Sequence, residues 1–131
     1  MQISSSTLET TKNITKAHPS KPLGKQLHIL QINIEGISRA KGEVLSRPLS
    51  EHDVDVAVLQ ETHAESFEDL SRRAKIYEFT LAAAEFSRAH GIATYVKSSL
   101  TKDVCVVQRI QDAGTYINTI RIHNTHVMKV Y

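Results

Sequence analysis

Asn33, Glu35, Gln60 and Glu61 are the residues of this 131-residue chain whose types and spacing could do chemistry together. Each stands where an apolar run ends: Leu27 to Ile34 runs into Asn33 and Glu35, and Asp53 to Leu59 runs into Gln60 and Glu61. Brought to one edge, an amide and two carboxylates make a set of hard oxygen donors. Such donors suit Mg²⁺, which takes one or two carboxylates and leaves its other positions to water and substrate phosphate. The implied chemistry is phosphate-centred. Polar residues at strand ends also serve as solvated caps, so residue type alone leaves both readings open.

Whether these residues meet depends on the elements that carry them. Leu27 to Ile34 is rich in β-branched and long aliphatic residues and is followed by Gly36, which predicts a strand. Ile37, Val44, Leu45 and Leu49 fall at helical spacing, although Gly42 weakens the pattern and Pro48 should end or kink it. Asp53 to Leu59 begins polar and becomes wholly apolar, as a strand does when buried between two layers. Strand, helix and strand in this order predict a βαβ crossover with parallel strands, whose carboxyl ends share the edge where open α/β sheets bind ligands. Phe67, Leu70 and Ala74 predict a second short helix. Ala93 to Val96, Val104 to Ile110, Tyr116 to Ile122 and His126 to Tyr131 predict four further strands, with hairpin turns near Thr101-Lys102-Asp103 and His123-Asn124-Thr125. Residues 1–25, rich in Ser, Thr and Lys with Pro19 and Pro22, are expected to be a flexible leader to a folded part over 26–131.

A formal net charge of +2 with 23% charged residues neither demands nor excludes a nucleic-acid partner. Cys105 is the single cysteine, which excludes an internal disulfide or a Cys-rich zinc knuckle; within Val104-Cys105-Val106-Val107 it is expected to be a small buried hydrophobe. The sequence has no run of about eighteen apolar residues and no apolar N-terminal stretch, so a soluble, intracellular protein without a membrane partner is expected. His63 reads as an exposed loop residue, and Arg72, Arg73 and Lys75 as a solvated basic helix face that could also touch a DNA backbone. His123 and His126 form an H-x-x-H pair, but they flank an expected hairpin turn, which is a poor setting for zinc.

The sequence around the polar strand ends narrows the choice. Ile29-Leu30-Gln31-Ile32-Asn33-Ile34-Glu35-Gly36-Ile37 resembles the first motif of the endonuclease/exonuclease/phosphatase superfamily, a strand ending in Asn with a polar residue two positions on and then Gly. Val54-Asp55-Val56-Ala57-Val58-Leu59-Gln60-Glu61-Thr62 resembles its second, an apolar strand ending in Gln-Glu-Thr. His90-Gly91-Ile92-Ala93-Thr94-Tyr95-Val96-Lys97 looks like the Gly-led third strand, and Val127-Met128-Lys129-Val130-Tyr131 like the strand that ends in an active-site tyrosine. The four segments are most similar to the endonuclease domains that precede reverse transcriptases in non-LTR retrotransposons, and through them to abasic-site endonucleases.

The resemblance implies an α/β fold, part of a two-sheet DNase I-like sandwich whose mixed sheet begins with the βαβ crossover, and a Mg²⁺-dependent phosphodiesterase acting on DNA, with Mn²⁺ as a substitute. Carried over position by position, it makes Glu61 the principal metal ligand and Glu35 a second carboxylate. Asn33 would orient the scissile phosphate or a metal-bound water, and Tyr131 would contact the phosphate. Lys129 departs from the pattern, because these endonucleases often carry Asn there. The family's Asp-x-Asn segment and Asp-His pair have no counterpart in this sequence, so residues 26–131 are expected to be the N-terminal part of such a domain, truncated at its C-terminus, with little turnover of its own. Such a domain would need its C-terminal half, and a reverse transcriptase would follow it. A phosphoesterase acting on lipid or inositol head groups and a non-catalytic binding module or remnant stand as alternatives.

Overall fold

The apolar run after Gln26 forms β2 (Gln26–Asn33), and the run before Glu61 forms β3 (Val56–Gln60). They pair in parallel, from Ile29 opposite Val56 to Asn33 opposite Gln60. The expected crossover is therefore present, and Asn33 and Gln60 lie level at one edge. Between the two strands runs α1 (Arg39–Glu51), capped by the Ser38 hydroxyl, which accepts the Lys41 N–H at 3.2 Å. The predicted stop at Pro48 does not occur. The helix continues to Glu51, because the N–H that proline lacks is lost only near the helix end, while Leu45 and Leu49 anchor that turn in the core.

The computed structural model describes residues 26–131 throughout and residues 2–9 as a strand. That strand, β1 (Gln2–Glu9), falls inside the stretch expected to be a flexible leader and pairs antiparallel with β2, from Gln2 opposite Asn33 to Glu9 opposite Gln26. It closes an edge of β2 whose amides and carbonyls would otherwise lack partners. Its Ser-rich sequence carries too little apolar alternation to be read as a strand beforehand. Residues 10–25 of the expected leader lie outside the described residues.

After β3 come α2 (Phe67–Arg73), β4 (Phe79–Glu85), β5 (Ile92–Lys97), a 3-10 helix (Ser98–Asp103), β6 (Val104–Asp112), β7 (Thr115–Ile122) and β8 (Thr125–Val130). The result is a strand-dominated α/β structure with two sheets. One is mixed, in the order β1-β2-β3-β5-β4, and the other is antiparallel, β6-β7-β8. Leu30, Ile32, Leu59, Leu45 and Leu70 fill the side of the mixed sheet that the helices cover. Ile29, Val58 and Val96 face the other way, onto Ile120, Ile122 and Val127 of the second sheet. Burial on both faces explains why β3 reads as a continuous apolar run, whereas β2 keeps His28 and an exposed Gln31 among its apolar residues.

Two further expectations are corrected here, and one strand was not anticipated. The turn near Thr101-Lys102-Asp103 is no hairpin but the 3-10 helix that carries the chain from β5 in one sheet to β6 in the other. The hairpin joining β6 to β7 turns instead at Ala113-Gly114, both with positive φ, the backbone of a two-residue primed turn. Cys105 is exposed, because it points to the uncovered side of the second sheet, as Met128 and Val130 do. Finally, β4 went unread: its Phe-Thr-Leu-Ala-Ala-Ala-Glu sequence lacks β-branched weight and becomes a strand through pairing with β5.

Candidate active site

The loops that leave β2 and β3 are zipped together beyond the strands. Ile34 N donates to Gln60 O at 3.0 Å, Gly36 N to Glu61 O at 2.7 Å and Ile37 N to Thr62 O at 2.9 Å. From the other side Thr62 N donates to Gly91 O at 3.2 Å and His63 N to His90 O at 2.7 Å. Glu61 is thus held between both neighbours of β3. This edge also concentrates unusual backbone: Glu35, Glu61 and His63 are non-glycine residues with φ of 51°, 58° and 59°, beside Gly36 and Gly91 at 86° and 94°. Left-handed conformations cost about 1–3 kcal/mol each for L residues and gather where a site dictates geometry over local preference.

Glu61 lies at the centre of the cluster. The Tyr131 hydroxyl donates to its Oε1 at 2.9 Å, across 70 residues of sequence. That hydrogen bond, a second from the Asn33 amide, and the nearby His63 and His90 rings hold the Glu61 carboxyl below the usual carboxylate range, against the smaller opposing effect of burial. Glu61 is therefore ionised at neutral pH. Partial burial, followed by the bond to Glu61, pushes the Tyr131 phenol upward, so it remains a donor. Asn33 uses both ends of its amide: it donates to Glu61, while Oδ1 accepts the Glu35 N–H at 3.2 Å. Glu35 is exposed on the adjoining loop.

The sequence therefore named Asn33, Glu61 and Tyr131 as a group, and the fold brings all three into contact. Asn33 has both amide atoms engaged, one with Glu61 and one with the Glu35 N–H. Glu61 and Glu35 carry hard carboxylate oxygens on neighbouring loops, a donor type that suits Mg²⁺ or Mn²⁺, and among the described residues no group of three or more His, Cys, Asp and Glu could hold a metal ion. Lys129, the departure from the family pattern, has a definite partner: buried at 4% exposure, it donates from Nζ to Gln60 Oε1 at 2.6 Å, and burial lowers its pKa.

Several residues at this edge escaped the sequence reading. Lys41 donates from Nζ to the carbonyls of Ile34 and Glu35, at 2.8 Å each, and so clamps the loop that carries Glu35. The signal was its place in the first turn of α1, close to the strand end. The His90 ring packs 5.7 Å from that of Tyr131, and Tyr116 meets Tyr131 edge-on at 6.2 Å. Only the pairing of β5 with β3 and of β7 with β8 reveals that aromatic wall. His63, expected to be an exposed loop residue, is half-buried; a Cβ on Gly36 would stand 3.2 Å from its Nδ1. Of the basic cluster, Arg72 is exposed and Arg73 half-buried, both paired with Asp69 at 2.9 Å, while Lys75 lies exposed beyond the end of α2, so only part of the expected solvated helix face forms.

No protein-family model and no curated protein matches this chain. No helix among the described residues is long and apolar enough to cross a membrane.

Proposed function

We propose that this chain carries the metal-binding edge of a phosphodiesterase of the endonuclease/exonuclease/phosphatase type, built on part of a DNase I-like sandwich and directed at DNA. The observation that carries the reading is the ionised Glu61 carboxylate at the carboxyl end of a parallel strand pair, held by Tyr131 and Asn33. The layer order also supports it, with helices on one face of a mixed sheet and a second sheet on the other.

In this reading Glu61 holds Mg²⁺ or Mn²⁺, with Glu35 as the second carboxylate within the same edge. Bound there, the ion supplies Lewis-acid polarisation of a phosphoryl oxygen. Asn33 and Tyr131 would hold the Glu61 carboxylate in place for the ion, and the Tyr131 hydroxyl is the donor at this edge that would meet a phosphate oxygen. The resemblance assigns the water-activating base to an Asp-His pair absent from this sequence.

The test is Mn²⁺ binding by electron paramagnetic resonance, followed by nicking of supercoiled plasmid. Glu61→Gln is expected to abolish Mn²⁺ binding while leaving the melting transition in place. Equal Mn²⁺ affinity in Glu61→Gln and the parent chain would remove the metal assignment. Hydrolysis of inositol or lipid phosphates in preference to plasmid would move the substrate class to head groups.

A further inference from the structure

Two ties cross from β8 to the end of β3. Tyr131 reaches Glu61, and Lys129, two residues earlier on the same face of the strand, reaches Gln60. The second tie belongs to a larger polar seam between the sheets. Asn118, opposite Lys129 in the β7–β8 register, donates to Glu85 Oε1 at 3.2 Å. Arg109 on β6 donates to the same oxygen and to the Ala84 carbonyl, each at 2.9 Å. Gln60 and Glu85 lie level in the mixed sheet, since both are opposite Ile92. The seam therefore crosses the inter-sheet interface at the Glu61 edge, whereas farther in that interface is mainly the apolar contact of Val58 and Ile29 with Ile120 and Val127, with Thr94 the buried polar side chain among them.

The contrast has a mechanical consequence. Apolar contact is non-directional and tolerates small slides of one sheet over another. A 2.6 Å hydrogen bond from a buried ammonium does not. Burying Lys129 carries a desolvation cost that a methionine of similar length would avoid, so packing alone does not account for a lysine here. We propose that Lys129 is a positioning residue: by gripping Gln60 it sets the end of β8 against the end of β3 at the spacing that lets the Tyr131 hydroxyl reach Glu61. Its bearing on metal binding rests on the reading of Glu61 given above; its effect on Tyr131 does not.

The experiment uses the full chain with ¹³C-labelled tyrosine, followed by NMR. In the metal-free protein, Lys129→Met and Gln60→Leu are each expected to move the Tyr131 ring resonances toward those of Glu61→Gln, while those of exposed Tyr77 stay in place. The double variant should go no further than either single one, because both act through one bond. Lys129→Arg, which retains a buried cationic donor, should stay near the parent. Lys129→Met leaves Gln60 without its donor and Gln60→Leu leaves the buried ammonium without its acceptor, whereas the double variant removes both partners and is expected to melt closest to the parent, so it carries the test where a single variant fails to fold. Unchanged Tyr131 resonances in the folded variants overturn the inference. Mn²⁺ is added second: loss of an outer-shell support is expected to weaken its binding about tenfold or more in Lys129→Met. Broadening of Tyr131 by Mn²⁺ that persists in Glu61→Gln would overturn the metal reading instead, with the metal-free result for Lys129 still standing.

Discussion

Gly91→Ala should be among the costliest single-atom additions to this protein, and its cost can be divided into two parts. Gly91 has φ of +94°, which L residues rarely adopt. Imposing a side chain there costs about 1–3 kcal/mol in backbone strain. The new Cβ would also stand 2.6 Å from Thr62 Oγ1, 3.2 Å from Glu85 O and 3.4 Å from Ser87 N. Thr62 is 1% exposed and cannot swing into solvent, so overpacking adds about 1–3 kcal/mol. The sum, about 2–6 kcal/mol, is a large share of the 5–15 kcal/mol or so that holds a typical domain together. Gly114 provides the control: its φ is +79°, but nothing lies within 4 Å of an added Cβ, so Gly114→Ala carries strain alone. Urea unfolding at constant m is the assay, with the difference between the two variants expected at about 1–3 kcal/mol. Removing Oγ1 with Thr62→Ala should recover part of the Gly91→Ala loss. Because Gly91 O holds the Thr62 N–H at 3.2 Å, Gly91→Ala should also weaken Mn²⁺ binding at Glu61 more than Gly114→Ala does. Equal destabilisation by the two glycine variants would refute the close approach on which this reasoning depends.

Further outcomes follow from other parts of the chain. Ala113 occupies the first position of the β6–β7 turn at φ 48°, so Ala113→Asn, which tolerates that conformation, should raise stability by about 0.5–1 kcal/mol in the same urea assay. The Asp69 carboxyl is held below its usual range first by the Glu65 N–H and then by Arg72 and Arg73. With its folded pKa depressed, its stabilisation is present above the ordinary value of 3.8 and is lost as pH falls through the lowered folded value; Asp69→Asn should flatten the acid limb of the stability curve. Burial pushes the Tyr95 phenol up to about 12, so an ultraviolet titration should show one of the four tyrosines ionising last, and Tyr95→Phe should remove that step.

What the sequence by itself determined is the part of the protein that local pattern encodes. The apolar runs ending in Asn33 and Gln60-Glu61 specified two strands, the second of them buried between two layers, and the helical spacing between them specified their parallel pairing. The edge that carries Asn33 and Glu61 follows from chain connectivity alone. Pattern was weaker where partners decide the outcome. The alanine-rich β4 is a strand because β5 lies beside it, and Cys105 is exposed because its alternation places it on the uncovered face of a sheet. The left-handed backbone at Glu35, Glu61 and His63 runs against the preferences of those residues and is imposed by hydrogen bonds between the loops. Tertiary structure alone decided how the site is held. Tyr131 was named as a residue type at a motif position, but its bond to Glu61 spans 70 residues, and the bond of Lys129 to Gln60 spans 69. Contacts between strands of different sheets depend on how one sheet is laid on the other, and the spacing of residues along a chain carries no record of that placement.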